Sequence, residues 1–290
     1  VPGIAGAIDQ LREHRRQVDD AIAAFTEAAI TESLRQGTRT LAAGTGNADT
    51  TNAGFQPDCI LLAHAAEPGA LPSRTSDIDL GLGVAVSAAQ QAVLVIASDD
   101  NVGSTNTWAY CRAGECVAEI SSNSGAVSWR AAFVSFLSNG FRLNWLESGG
   151  VALTGCYLAL KGGQYAVGDL LTQTDTTTDI VESGFFQPRA VLLGSANRGA
   201  STQDTSSAHA EWSVGAFTSP TARTAQVIRD KDGEPNADCF SAIEYDECYI
   251  NGSNDAAQVV EGLMDVKSVD ATGFTCIMDD ADPAQSFVWY

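Results

Sequence analysis

Lysine is almost missing from this sequence. Three occur in 290 residues, Lys161, Lys231 and Lys267, and histidine is equally scarce at three. With 36 acidic residues against 16 basic ones, the formal charge is −20. That field works against nucleic acid or an anionic membrane as a partner. Long apolar runs are also absent: "QAVLVIAS" (Gln91–Ser98) is far too short to cross a bilayer. Nothing at the amino terminus has the basic-then-apolar layout of a secretion signal. These features predict a soluble protein. An acidic, lysine-poor surface fits either high ionic strength or a GC-rich coding bias, and composition does not separate the two.

Catalytic signatures are missing as well. The sequence holds no G-x-S-x-G nucleophile elbow, no P-loop, no H-E-x-x-H and no complete G-x-G-x-x-G. His14, His64 and His209 stand far apart in the chain. The expectation is therefore a protein without enzymatic activity and without a cofactor. Seven cysteines at this length do not make a disulfide scaffold. Cys111 and Cys116 in "YCRAGEC" have the spacing to close a small loop, but buried reduced thiols are the default reading.

What is present begins with an amphipathic segment. Ile8, Leu11, Val18, Ile22, Phe25 and Ala29 recur at steps of three and four, interrupted only by Arg15. The spacing predicts a helix of about three heptads ending at Gly37. Its stripe can pack on the protein's own body or join copies of the chain in a short coiled coil.

After Gly37 the texture changes to short β-prone runs separated by Gly, Asn, Asp and Ser. "DCILLAHA", "LGVAVS", "AVLVIAS", "TWAYC", "CVAEIS", "SWRAAFVSFL", "FRLNWL" and "CYLALK" read as strands. No helical pattern recurs between them, which predicts antiparallel sandwiches over a parallel α/β sheet. The string "GFQPDCILLA" from Gly54 returns as "GFFQPRAVLLG" from Gly184. Further landmarks follow in order: Gly83 with Gly215, Asp99 with Asp230, Cys116 with Cys248, "NGFRLNW" with "TGFTCIM", and Tyr157 with Tyr290. The offset stays between 131 and 133 residues. A tandem duplication is the reading. The expected architecture is mainly β: two antiparallel, jelly-roll-like sandwiches related by duplication, over residues 38–163 and 164–290, preceded by a helix over 1–37. The first copy continues past Tyr157 as "LALKGG" whereas the chain stops at Tyr290, so a few residues are expected to follow.

Candidate sites are few. "DKDGE" places Asp230, Asp232 and Glu234 at alternating positions, as calcium loops do, and Asp99 and Asp100 occupy the equivalent turn. Pro235 stands where the EF-hand pattern needs glycine, so a plain hairpin turn competes with a metal loop. Trp108 and Trp212 sit near polar segments and are candidates for stacking on a glycan. Trp129, Trp145 and Trp289 lie in apolar strand patterns and are expected in the core.

"GFQP" leading into an apolar strand, "GF.LNW" closing a hairpin, and "YLALKGG" together resemble a loose group of β-rich virion structural proteins of tailed bacteriophages. The resemblance covers roughly Gly54 to Tyr290. It implies a structural protein on the exterior of the virion, a homotrimeric capsid decoration (cement) protein contacting the major capsid protein. Residues Ile8, Leu11, Val18, Ile22 and Phe25 would then form the oligomerisation stem. The alternatives are a tail or head fibre adhesin that binds host surface glycan, and a cellular enzyme whose site the sequence does not reveal.

Overall fold

The computed structural model describes residues 15–16, 34–41, 43–68, 77–100, 102–150, 153–199, 207–236, 238–252 and 259–290. The helix expected between Ile8 and Ala29, with its stripe Ile8, Leu11, Val18, Ile22 and Phe25, lies outside the described residues except for Arg15 and Arg16.

The chain is mainly β and its sheets are antiparallel. The first half contributes β1 (Leu34–Leu41), β2 (Gly46–Thr50), β3 (Cys59–Pro68), β4 (Ile78–Ser87), β5 (Gln90–Asp99), β6 (Asn106–Ala113), β7 (Val117–Ile120), β8 (Val127–Leu137), β9 (Gly140–Glu147) and β10 (Leu153–Leu160). The second half contributes β11 (Asp169–Leu171), β12 (Ile180–Ser183), β13 (Val191–Arg198), β14 (Ser207–Ala208), β15 (Ala210–Ser219), β16 (Ala222–Asp230), β17 (Cys239–Glu244), β18 (Tyr249–Gly252), β19 (Val260–Asp270), β20 (Gly273–Asp280) and β21 (Phe287–Trp289). Four sheets result. The first has the order β1-β10-β3-β4-β5-β6-β14 and the second β2-β9-β8-β7; the third is β11-β21-β13-β15-β16-β17 and the fourth β12-β20-β19-β18.

Connectivity departs from the jelly-roll-like expectation. Two-residue turns, Ala88–Ala89 between β4 and β5, Ser138–Asn139 between β8 and β9, Pro220–Thr221 between β15 and β16, and Ala271–Thr272 between β19 and β20, force successive strands to pair directly. The strands therefore run as meanders instead of alternating between facing sheets.

Alternation along each strand decides what packs where. In the first half, Ile60, Leu62, Phe133, Leu143 and Trp145 fill the space between the first and second sheets. In the second half, Leu193, Met264, Phe274, Cys276 and Val288 do the same between the third and fourth. A third core joins the halves: Cys59, Val84, Leu94 and Cys111 meet Ala196, Ala210, Phe287 and Trp289 across the seam between the first and third sheets. The sheets are thus stacked second, first, third, fourth. Strand β5 is buried on both faces, Ala92, Leu94 and Ile96 toward the seam and Val93, Val95 and Ala97 toward the second sheet. That double burial explains its unbroken apolar run.

The seam carries hydrogen bonds too, because β14 of the second half pairs with β6 of the first, Ser207 opposite Ala109 and Ala208 opposite Trp108.

The two halves repeat the same close approaches. A Cβ on Gly83 would collide with the carbonyl of Cys116, and one on Gly215 with that of Cys248. Likewise Gly140 abuts the carbonyl of Thr50 and Gly273 that of Glu182. Gly37 is not a helix stop: it lies within β1, pressed against the Tyr157 ring, as Gly168 is against Tyr290. A residue that ends helices elsewhere is here the only one small enough to let that ring lie flat on the strand.

Trp129, Trp145 and Trp289 are buried, as their strand patterns predict. All seven cysteines are free thiols. Cys111 faces the seam and Cys116 the core on the opposite side of the first sheet, so no bridge joins them.

Gly83→Ala should lower stability by about 2 kcal/mol, since the added methyl meets backbone and not a movable side chain. Gly44→Ala, with open space around it, should leave the urea midpoint unchanged.

Candidate functional site

The acidic turn at Asp230–Glu234 is built into the seam. Asp232 Oδ1 accepts the Thr107 N–H at 2.9 Å, and Asp230 Oδ2 accepts the Ser98 hydroxyl at 3.0 Å. Backbone bonds run both ways: the Thr105 N–H donates to Glu234 O at 2.8 Å, and the Gly233 N–H donates to Thr105 O at 2.8 Å. The Thr105 hydroxyl donates to Lys231 O at 2.6 Å. Asp232 N–H donates to Nδ1 of His209 at 3.0 Å, which requires that nitrogen unprotonated; burial and the neighbouring Arg229 lower the affinity of His209 for a second proton. One oxygen of Asp230 and one of Asp232 clasp one half to the other, while Oδ1 of Asp230 is buried without a donor. Asp99 and Asp100 lie at the far end of β5, where the Asp100 N–H donates to Asp77 Oδ1 at 3.0 Å.

The two polar-flanked tryptophans are engaged. Trp108 is half-buried, donates its Nε1–H to Ser122 O at 3.0 Å, and lies against Gly125. Trp212 packs at the margin of the seam core.

Among the described residues, three cavities are large enough to hold a ligand or ion. The first, of about 620 Å³, opens at the seam and is lined by Cys59, Tyr165, Phe186, Pro188, Trp289 and Tyr290 among others. Its walls are mostly apolar, with Gln164, Gln187 and Arg189 among them; burial followed by the charge of Asp58 pushes the Cys59 thiol up to about 12, so it is no nucleophile at neutral pH. The repeated "GFQP" string separates here. Phe55 and Phe185, each following a glycine with positive φ (82° at Gly54, 96° at Gly184), pack on the core of their own half. Phe186, the extra residue of the second string, lines the cleft beside Phe185 and is not part of that core. A second hollow, of about 630 Å³, borders β1 and β10 beside Tyr157.

The third is small, about 220 Å³, and polar. Its floor is Asp79 of β4, 7% exposed, facing Glu119 of β7, 4% exposed. Neither oxygen of Asp79, nor Oε2 of Glu119, meets a hydrogen-bond donor. Burial and the facing carboxyl push Asp79 upward, and burial does the same to Glu119. Ser121, Ser122 and Ser128 complete the rim with Asp77.

The second half holds an acid at the same strand position. Glu211 of β15 is 1% exposed; it accepts the Gly252 N–H on Oε1 and Asn197 Nδ2–H on Oε2, both at 2.9 Å. Asn197 has φ 52° and is held by the Ser286 hydroxyl at 2.5 Å. Asn251 donates to Asp282 Oδ1 at 2.9 Å, and the Thr172 hydroxyl donates to Oδ2 at 2.6 Å. Burial raises Glu211 to about 7 against the pull of these donors and of Arg229 and Arg198.

Motif searching passes over Asp79, Glu119 and Glu211, because none belongs to a signature. The usable signal is an acid at an inward-facing position of an apolar strand, as in "SDIDLGLGVAVS" and "CVAEIS". Among the described residues, no group of three or more His, Cys, Asp and Glu side chains converges as a metal cage.

Two outcomes follow. Asp232→Ala should cost about 1 kcal/mol and speed hydrogen exchange at the Thr107 amide, while Asp232→Asn keeps an acceptor and stays near wild type. Glu211 should make stability fall as pH rises from about 4.5 to 7 by about 3 kcal/mol, because the unfolded carboxyl ionises first and the buried one must follow. Below that window both states are protonated, and above it the cost is fully present. Denaturant titrations of wild type minus Glu211→Gln should isolate this slope.

No protein-family model matches this chain, and neither the curated proteins nor the solved structures contain a significant match to it.

Proposed function

We propose that this chain is a structural subunit on the exterior of a tailed-phage virion, a homotrimeric capsid decoration protein built from two sandwich modules related by tandem duplication. The observation that carries the reading is the four-layer stack with a continuous apolar seam between the first and third sheets. Two modules fused through a core, and clasped by β14 and by the turn at Asp230–Glu234, behave as one rigid block. Such a block suits a part that binds by shape to a lattice of identical neighbours. A trimer of such blocks presents six similar modules, matching a pseudo-sixfold position on a capsid. In this reading the amino-terminal stripe, Ile8 to Phe25, is the trimer stem, and the partners are copies of the chain and the major capsid protein.

A fibre adhesin that stacks host glycan on Trp108 or Trp212 is the rival. The packing of Trp108 on Gly125 and of Trp212 at the seam weighs against it.

Mass-spectrometric copy counting in purified particles tests the proposal. Hundreds of copies per particle, and a trimeric mass by light scattering, are expected. A handful of copies would instead assign the chain to a fibre or spike, and its absence from particles would remove the virion role.

A further inference from the structure

We propose that the first sandwich binds a hard divalent cation, such as Ca²⁺, between Asp79 and Glu119. The two halves of the molecule supply their own comparison. Asp79 lies directly across from Ala97 on the neighbouring strand, and Glu211 lies across from Arg229. Glu119 is the third residue of β7 and Asn251 the third residue of β18. At this place the second half therefore combines one acid, one amide and a buried guanidinium, Arg229 being 1% exposed. The first half has two acids, a methyl group in place of the guanidinium, and, among the described residues, no basic side chain along the pocket wall.

Two carboxyls that face each other below the surface, with three oxygens lacking any donor, need a positive counterpart, either a shared proton or a cation. The second half carries its counterpart in the sequence, and the first half must take one from solution. The pocket suits this. The ligating atoms on its rim are oxygens, from Asp79, Glu119 and the hydroxyls of Ser121, Ser122 and Ser128. That set selects calcium or magnesium over zinc or copper. A volume of about 220 Å³ admits the ion with several waters. Asp77 already accepts the Ser122 hydroxyl at 3.2 Å and the Asp100 N–H, so it orients the rim and is not itself a ligand. With two carboxylates and the remaining shell made of hydroxyl and water, the dissociation constant should fall at about 10⁻⁴–10⁻³ M.

Trp129 closes the pocket and provides the readout, since a bound Tb³⁺ would be excited through the indole. Titrating the full chain with Tb³⁺ should give sensitised emission that saturates as a single class of site and is displaced by Ca²⁺. Asp79→Asn and Glu119→Gln should each weaken that binding at least tenfold. Both variants remove a repelling charge and no donor's partner, so they are expected to fold. Millimolar Ca²⁺ should raise the melting temperature of wild type and leave both variants unmoved. Emission that persists unchanged in the variants would come from the acidic surface and would overturn the proposal. So would a wild-type melting temperature indifferent to Ca²⁺ while either variant melts higher on its own, because the pair would then be held by a shared proton.

Discussion

Strand β5 is buried on both faces, and the architecture hangs on that double burial. Leu94 and Ile96 reach across the seam, while Val93 and Val95 reach into the first half's own sandwich. A sheet that must bury both faces needs a partner on each side. The second sheet covers one, and the third sheet, from the other half of the chain, covers the other. Removing the second half would strip Ala92, Leu94, Ala109 and Cys111 of their cover, so the halves are modules in pattern but not independent in energy. Hydrogen bonds from Thr105 and Thr107 to the turn at Asp230–Glu234 then fix the angle that the apolar seam alone would leave loose.

The halves keep the same backbone contacts and differ in their buried polar groups. Gly83 and Gly215, Gly140 and Gly273, Gly37 and Gly168 mark three matched places where only a hydrogen atom fits between strand and neighbour. Those contacts set sheet spacing, so a side chain there would push whole layers apart. Polar groups at one end of the sandwich are under no such constraint. One half solves the burial of an acid with Asn197, Gly252 and Arg229, and the other leaves Asp79 against Glu119. Difference in chemistry on a shared frame is what makes the first pocket the more informative of the two.

Much of the strand content was legible in advance. Period-two alternation located Trp129, Ala131 and Phe133 on one buried face, and the apolar runs at β3, β5 and β10 became strands. Local signals misled where a tertiary partner changed a residue's task. Gly37 reads as a helix terminator until Tyr157 is seen lying on it. Asp230 and Asp232, readable as a hairpin turn or a metal loop, each give one oxygen to a donor in the other half, Ser98 or Thr107. In "GFFQP" the inserted residue leaves Phe185 on the core, as Phe55 is in "GFQP".

By itself the sequence determined the mainly β class of fold and the apolar strands, because side-chain alternation and turn chemistry act within a few residues of each other. Only the tertiary structure decided that the two modules share a core and that Asp79 meets Glu119. Those outcomes depend on contacts between residues tens to more than a hundred positions apart, and no local pattern encodes which distant face will cover an exposed one.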